Sequence, residues 1–289
     1  MSQLTKEPYL TVVTVVKNDL SGLILTTNSI LEQKGIVIQH VIVDGGSTDG
    51  SQKYSLIHSD IYIDSKNDGG IYFGMKRGAD VAEGDFLLFL NSGDFLRDNL
   101  SLAQVLNQLE EQSAEWGFGP IIELTSRRTE IITKPPKVVD LQSVAYRKTF
   151  VPFPTSVYRT EFYKLLGGIQ TKFRIASDFE LILKAMKTAS PIYWETPLVK
   201  FAAGGISYKL APLSWKEEHE IRKVVLQMNW ITIFISWLRV KLRISKWIVG
   251  KFLDFIYERG VVKGKHWRDI RGDKLRTKKP CYLLRRGGT

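Results

Sequence analysis

Three features of the sequence predict an α/β fold with a mostly parallel sheet and an appended basic helical tail. Short β-branched runs alternate with segments of helical period from residue 10 to residue 91. Glycine-rich turns carrying aspartate follow two of those runs directly, in VIVDGGSTDG and FLLFLNSGD. The basic excess is confined to the last quarter. Residues 1–211 carry 22 Lys and Arg against 23 Asp and Glu, a net of −1, whereas residues 212–289 carry 19 against 7, a net of +12.

Residues 10–16, LTVVTVV, are apolar and β-branched and read as a strand buried on both faces. Residues 20–33 place Leu23, Ile24, Ile30 and Leu31 at helical spacing, and Gly35 closes the segment. IQHVIVD is a second strand, GSQKYSLIHS a short helix or turn, and DIYIDS a third strand. GGIYFGMKRGADVAEG repeats apolar positions at Ile71, Met75, Ala79 and Ala82 and ends at Gly84, which predicts a helix; DFLLFLN is a fourth strand. Alternation of this kind implies βαβ units with right-handed crossovers. In such sheets ligands gather outside the carboxyl ends of the strands. The middle of the chain is less regular. RRTEIITKPPKVVD reads as a strand and a Pro-Pro turn, and FVPFPTSVYRTEFYKLLGG as a loop, a strand and a helix from about Thr160. FRIASDFELILKAMKTA opens a helix at Asp178, and PIYWETPLVKFAAGGISYKL gives a strand pair and a glycine turn.

Cys281 is the one cysteine among 289 residues, which excludes an intramolecular disulfide and a cysteine-based zinc site. His40, His58, His219 and His266 are scattered, so a histidine metal cluster is not expected. The first residues lack a basic n-region and a small-residue cleavage site, so no signal peptide is read and a reducing, cytoplasmic setting is expected.

The chain divides into a body, residues 1–211, and a basic, Trp-rich helical region, residues 212–289. Residues 224–238 run 15 positions without a charge, short of the ~20 a spanning helix needs, and include Gln227 and Asn229. Beyond them Arg239, Lys241, Arg243, Lys246 and Lys251 interleave with Val240, Leu242, Ile244, Trp247, Ile248 and Phe252. Cations beside Trp, Phe and Ile fit a helix lying in an anionic membrane surface. The alternative is a helical pair packed on its own domain or, in a homo-oligomer, on a second subunit. Nucleic-acid binding is disfavoured, because the tail has no helix-turn-helix or zinc spacing. A dinucleotide-binding dehydrogenase is disfavoured because no G-x-G-x-x-G follows the first strand.

Three segments could carry chemistry. In VDGGSTDGS, Asp44 ends a buried strand, where a carboxylate can accept hydrogen bonds from a nucleotide while glycine lets the ligand approach. Read without a ligand, the segment is a capped βα turn. In FLLFLNSGDFL, Asn91, Ser92, Gly93 and Asp94 end another strand; a carboxylate near a phosphate ligand suggests Mg²⁺ or Mn²⁺ between them. A strand-end turn accounts for the same residues equally well. In IASDFELI, Asp178 is a general base for an acceptor hydroxyl or simply a helix cap.

LTVVTVVKND, VIVDGGSTDGS, NDGGIYFGMKRG, GDFLLFLNSGD, ASDFELILKA and FAAGGIS occur in the order found in family 2 glycosyltransferases. Over about residues 8–210 the chain most resembles the bacterial colanic-acid and exopolysaccharide type. The resemblance implies a glycosyltransferase A fold, a Rossmann-like mixed sheet flanked by helices. It implies transfer of a sugar from a nucleotide-diphospho-sugar, UDP most often, to an acceptor hydroxyl with inversion. By that resemblance Thr14 and Val15 line the nucleotide pocket, Asp44 meets the base, Gly46 belongs to the nucleotide-sugar site, and Asp68 lies near base and ribose. Asn91, Ser92 and Gly93 lie at the donor, with Asp94 the surviving carboxylate of the metal motif. Asp178 is the catalytic base, and Gly204, Gly205 and Ser207 shape a loop over the diphosphate or acceptor.

The chain departs from that pattern at several places. FGMKRG stands where the subgroup has an Asp, then AMNKG, so Phe73 replaces an acid and Lys76 an asparagine. Lys76 or Arg77 either pairs with phosphate or belongs to a solvated helix face. Pro154-Thr155-Ser156 replaces the subgroup's Pro-His-Gln. The expected protein is therefore a transferase acting on a lipid-linked saccharide at the inner face of the cell membrane. The competing expectation is a nucleotide-sugar-binding scaffold that has lost catalysis.

Overall fold

The computed structural model describes residues 9–66, 69–124, 129–202 and 210–258. In chain order its elements are β1 (Leu10–Val16), α1 (Leu20–Leu31), β2 (Ile38–Asp44), α2 (Ser51–His58), β3 (Ile61–Asp64), α3 (Ile71–Asp80) and β4 (Phe86–Phe89). There follow β5 (Phe95–Leu96), α4 (Ser101–Glu111), β6 (Trp116–Phe118), β7 (Ile121–Leu124), β8 (Glu130–Thr133) and α5 (Leu141–Ala145). The rest comprises β9 (Val157–Arg159), α6 (Thr160–Leu165), α7 (Ser177–Thr188), β10 (Ile192–Tyr193), β11 (Val199–Ala202), α8 (Ala211–Val225) and α9 (Trp230–Glu258).

Seven strands form the central sheet in the order β10-β6-β9-β4-β1-β2-β3. β1 pairs in parallel with β2 and β4, and β2 with β3, while β9 runs antiparallel between β4 and β6. The sheet is therefore mixed. The chain moves outward from β1 to β3 and then returns to lay β4 on the other side of β1. That reversal opens a crevice at the carboxyl ends of β1, β2 and β4. A second sheet, β5-β11-β7-β8, stands beside the first. The strand pair expected near residues 192–202 is not a hairpin: β10 joins the large sheet and β11 the small one.

Successive side chains of β1 and β4 enter opposite faces, as the two-residue strand period requires. Val13, Leu87 and Phe89 pack with Met75, Phe179 and Leu183 on one face, and Val12, Phe86 and Leu88 with Ile30, Leu102 and Leu106 on the other. α3 lies so close to the sheet that a Cβ on Gly74 would stand 3.0 Å from Val15 Cγ1, and one on Gly78 would overlap Val13.

The core does not stop at residue 211. Ile221 and Val225 of α8 are buried in the same cluster as α7. α9 meets α8 through the buried pair His219 Nδ1 and Ser236 Oγ, 2.9 Å apart. The uncharged run 224–238 is broken between the two helices. Gln227 takes a left-handed φ of 49°, and Asn229 Oδ1 accepts from Thr232 N–H at 3.0 Å, which starts a new helix. Among the described residues no helix is long and apolar enough to cross a membrane.

Candidate active site

Three loops meet at the crevice. Asp44 ends β2 fully buried, and its Oδ1 accepts from Ser47 N–H at 2.8 Å. Its Oδ2 is buried with no hydrogen-bond partner. A buried carboxylate oxygen left unpaired costs free energy unless something donates to it. Gly46, at φ 83°, turns the chain tightly, and a Cβ there would collide with the Lys66 side chain. Ser47 Oγ accepts from Asn18 N–H, Asn18 Oδ1 from Thr48 N–H, both at 2.8 Å, and Asp49 Oδ2 from Leu20 N–H at 2.9 Å. GGSTD is thus laced to the Lys17-Asn18-Asp19 turn after β1, and Asp49 also caps α2 through Ser51.

The 91–94 turn is tied to the same place. Ser92 Oγ donates to Asp19 Oδ2 at 2.6 Å, while the other oxygen of Asp19 caps α1 at Gly22 N–H. Gly93, at φ 90°, donates its N–H to Thr26 Oγ1 at 3.1 Å, and Thr26 Oγ1 donates to the Asp94 carbonyl at 2.7 Å. Asn91 Oδ1 is buried and unpaired, and Asp94 is buried. Among the described residues no three His, Cys, Asp or Glu side chains converge as a metal cluster. The hard oxygens of Asn91 and Asp94 nevertheless suit Mg²⁺ or Mn²⁺ whose remaining ligands come from a bound donor.

Asp178 lies in the first turn of α7, half-buried. Its Oδ1 accepts from Tyr72 O–H at 2.9 Å and from Phe179 N–H at 2.8 Å. Burial pushes its carboxyl above the ordinary aspartate value, against the opposing pull of the Arg147 charge and the Tyr72 hydrogen bond. Burial, then the Asp178 charge, drives the Tyr72 hydroxyl well above the usual tyrosine value, so Tyr72 stays a proton donor. α3 links this cluster to the crevice. It follows β3, whose Asp64 is in register with Asp44, and its first turn carries Tyr72.

The segment before Asp178 is held from α8. Glu217 accepts from the N–H groups of Arg174 (2.9 Å), Ile175 (2.9 Å) and Ala176 (3.1 Å). Beside it Glu218, buried, binds Arg147 at 2.9 Å, and the Arg147 guanidinium lies 4.1 Å over the Phe179 ring.

The structure thus gathers Thr14, Val15, Asp44, Gly46, Asn91, Ser92, Gly93 and Asp94 at one sheet edge, while Asp178 is hydrogen-bonded to Tyr72 on α3, the helix that follows β3. The Thr14 hydroxyl is used internally, 3.0 Å from His40 Nε2, and Val15 packs under α3. Lys76 lies on the exposed side of α3, its Nζ 2.9 Å from both Asp80 oxygens, as the helix-face reading expects. Asp68, Gly204, Gly205 and Ser207 lie outside the described residues. Asn18, Asp19, Tyr72 and Glu217 were not anticipated as site residues. The KND after β1 marked the first two, whereas nothing local marks Glu217.

Comparison with known proteins agrees with this geometry. Glycosyl transferase family 2 matches residues 11–167. An uncharacterised glycosyltransferase of Mycobacterium tuberculosis is 31% identical over 217 residues, 72% of this chain and 80% of that protein. A PGL/p-HBAD biosynthesis glycosyltransferase of Mycobacterium bovis is 27% identical over 150 residues, 50% of this chain and 56% of that one. The crystal structure of S. aureus TarS 1-349 superposes with a TM-score of 0.62 at 17% identity, covering 82% of this chain and 72% of that one, which shows the glycosyltransferase A fold. The chain belongs to glycosyl transferase family 2 and is a glycosyltransferase.

Proposed function

We propose that this protein transfers a sugar, with inversion, from a UDP-sugar to a hydroxyl of a lipid-linked saccharide at an anionic membrane surface. The setting we propose is synthesis of a bacterial surface polysaccharide of the exopolysaccharide kind. The observation that carries the reading is Asp178, a desolvated carboxyl with one oxygen fixed by two donors and the other free of hydrogen bonds among the described residues. UDP as the nucleotide is supported by TarS, which has the same fold and is solved with UDP-GlcNAc and with UDP.

The nucleotide sits at the ends of β1 and β2, where the unpaired Asp44 Oδ2 takes a hydrogen bond from base or ribose. The diphosphate lies toward residues 91–94. A divalent cation held by Asp94 and Asn91 Oδ1 would neutralise charge on the departing phosphate. Asp178 Oδ2 removes the acceptor proton. The acceptor oxygen then bonds the anomeric carbon from the face opposite the breaking bond to UDP, which inverts the centre. A carboxyl raised toward working pH is a better base than an ordinary aspartate. A scaffold without catalysis would have no use for a base so held.

A thermal-shift panel of UDP, GDP, dTDP and CMP, each with and without Mn²⁺, tests the donor. A nucleotide at ~100 times its dissociation constant adds about 2.7 kcal/mol. UDP with Mn²⁺ is expected to give the shift, and absence of a shift with every nucleotide would sink the donor reading. Asp178→Asn is expected to keep that shift and lose at least about 10²-fold in transfer.

A further inference from the structure

Beside the catalytic base is a cavity of about 150 Å³ that the donor reading leaves unused. It lies between the first turn of α3, Gly69 to Phe73, and the segment Thr171 to Arg174. Among the described residues no acidic side chain lines it. Lys172 and Arg174 on its rim are exposed, and neither pairs with a carboxylate among the described residues. Lys172 Nζ lies 4.8 Å over the Phe173 ring.

The rim is built rather than incidental. Glu217 holds the N–H groups of residues 174–176, and Ser177 Oγ donates to the carbonyls of Gln170 and Phe173. These bonds fix the backbone and leave both cationic side chains outward. Tyr72 forms one wall, and its hydroxyl reaches Asp178. Cavity and base are therefore separated by one tyrosine side chain, a span comparable to a single sugar ring.

From this we propose that the cavity is an acceptor subsite for a phosphate group, bound by Arg174 and Lys172 one sugar unit away from the hydroxyl that Asp178 deprotonates. Guanidinium and ammonium groups form charge-assisted hydrogen bonds with phosphate oxygens, and the guanidinium can do so through two parallel bonds. The acceptor is thus a phosphorylated saccharide, carried on a lipid diphosphate or free in solution. The inference rests on the donor-and-acceptor reading above.

The test is titration calorimetry on the full chain with saturating UDP and Mn²⁺, using geranyl diphosphate and glucose 1-phosphate as probes. At least one probe is expected to bind. In the Lys172→Gln, Arg174→Gln double variant its affinity should fall tenfold or more, with UDP affinity within twofold of the unaltered protein. Preference for geranyl diphosphate supports the lipid-linked source, and preference for glucose 1-phosphate supports the free one. Binding of neither probe, or equal binding in the variant, overturns the proposal. A parallel fall in UDP affinity overturns it too, because it gives the two cations to the donor. If UDP itself fails to bind but a probe titrated alone binds in the variant-sensitive way, the donor reading falls and the subsite stands.

Discussion

Tyr72 has one hydroxyl proton and two acceptors, the Ile175 carbonyl at 2.7 Å and Asp178 Oδ1 at 2.9 Å. Tyr72→Phe removes the donor that helps keep Asp178 ionised, so its carboxyl should rise further. The acid limb of the kcat profile is expected to move to higher pH; an unmoved limb would show that Tyr72 does not tune the base. His40, buried on β2, is pushed down to about 4 by burial, with Asp60 opposing the shift. Its ordinary value is 6.5, so between those two values the unfolded chain binds more protons than the folded one. Stability is therefore lost as pH falls through that window, by up to about 3 kcal/mol. Thermal midpoints at pH 7.5 and 5.0 should differ less for His40→Gln than for the unaltered protein. Asp44, Asp94 and Asp178 were legible in the sequence because each ends a strand or opens a helix. Of the two readings left open for Lys76, the solvated helix face is the one its i, i+4 spacing to Asp80 made legible. Tyr72 escaped because its role exists only once α3 and α7 are packed.

At the scale of elements, the alternation of periods located β1 to β4 and α1 to α3, since each carries its own local signal. β5, β6 and β7 are two to four residues long and take their definition from partners far along the chain, so sequence pattern did not reveal them. α8 shows the same limit. Its buried Ile221 and Val225 make it part of the catalytic body, and the division after residue 211 falls in front of a core helix. Deletion of everything after residue 210 is therefore expected to unfold the protein, whereas deletion after residue 228 should leave a cooperative thermal transition. Each buried aliphatic is worth about 1.5–3 kcal/mol, so the first deletion alone removes a large part of a typical domain's stability. Glu217→Gln replaces a carboxylate that accepts three N–H groups. Transfer should fall about tenfold in kcat with donor KM unchanged, and a matching rise in donor KM would instead assign Glu217 to donor binding.

Over the whole molecule, charge and apolar surface coincide. Exposed Trp230, Phe234, Ile235, Trp237, Leu238 and Leu242 lie on the helix that also carries Arg239, Lys241, Arg243 and Lys246. Among the described side chains of this helix Ser236 and Val240 are buried, and Ser236 meets His219 of α8. Flotation with vesicles containing anionic lipid is expected for the full chain, to weaken at 1 M salt where charges are screened beyond ~3 Å, and to vanish after deletion of residues beyond 228. Persistence of flotation in that deletion would remove α9 as the membrane contact. One further consequence concerns biosynthesis. Glu217 follows Arg174 by 43 residues. On a ribosome adding about 5–20 residues per second, the sheet and its crevice emerge seconds before the carboxylate that fastens the loop ahead of Asp178. The nascent chain can therefore form the crevice at the ends of β1, β2 and β4 early, while the loop ahead of Asp178 is fastened only once α8 has been made, so the two halves of the site are completed in sequence rather than together.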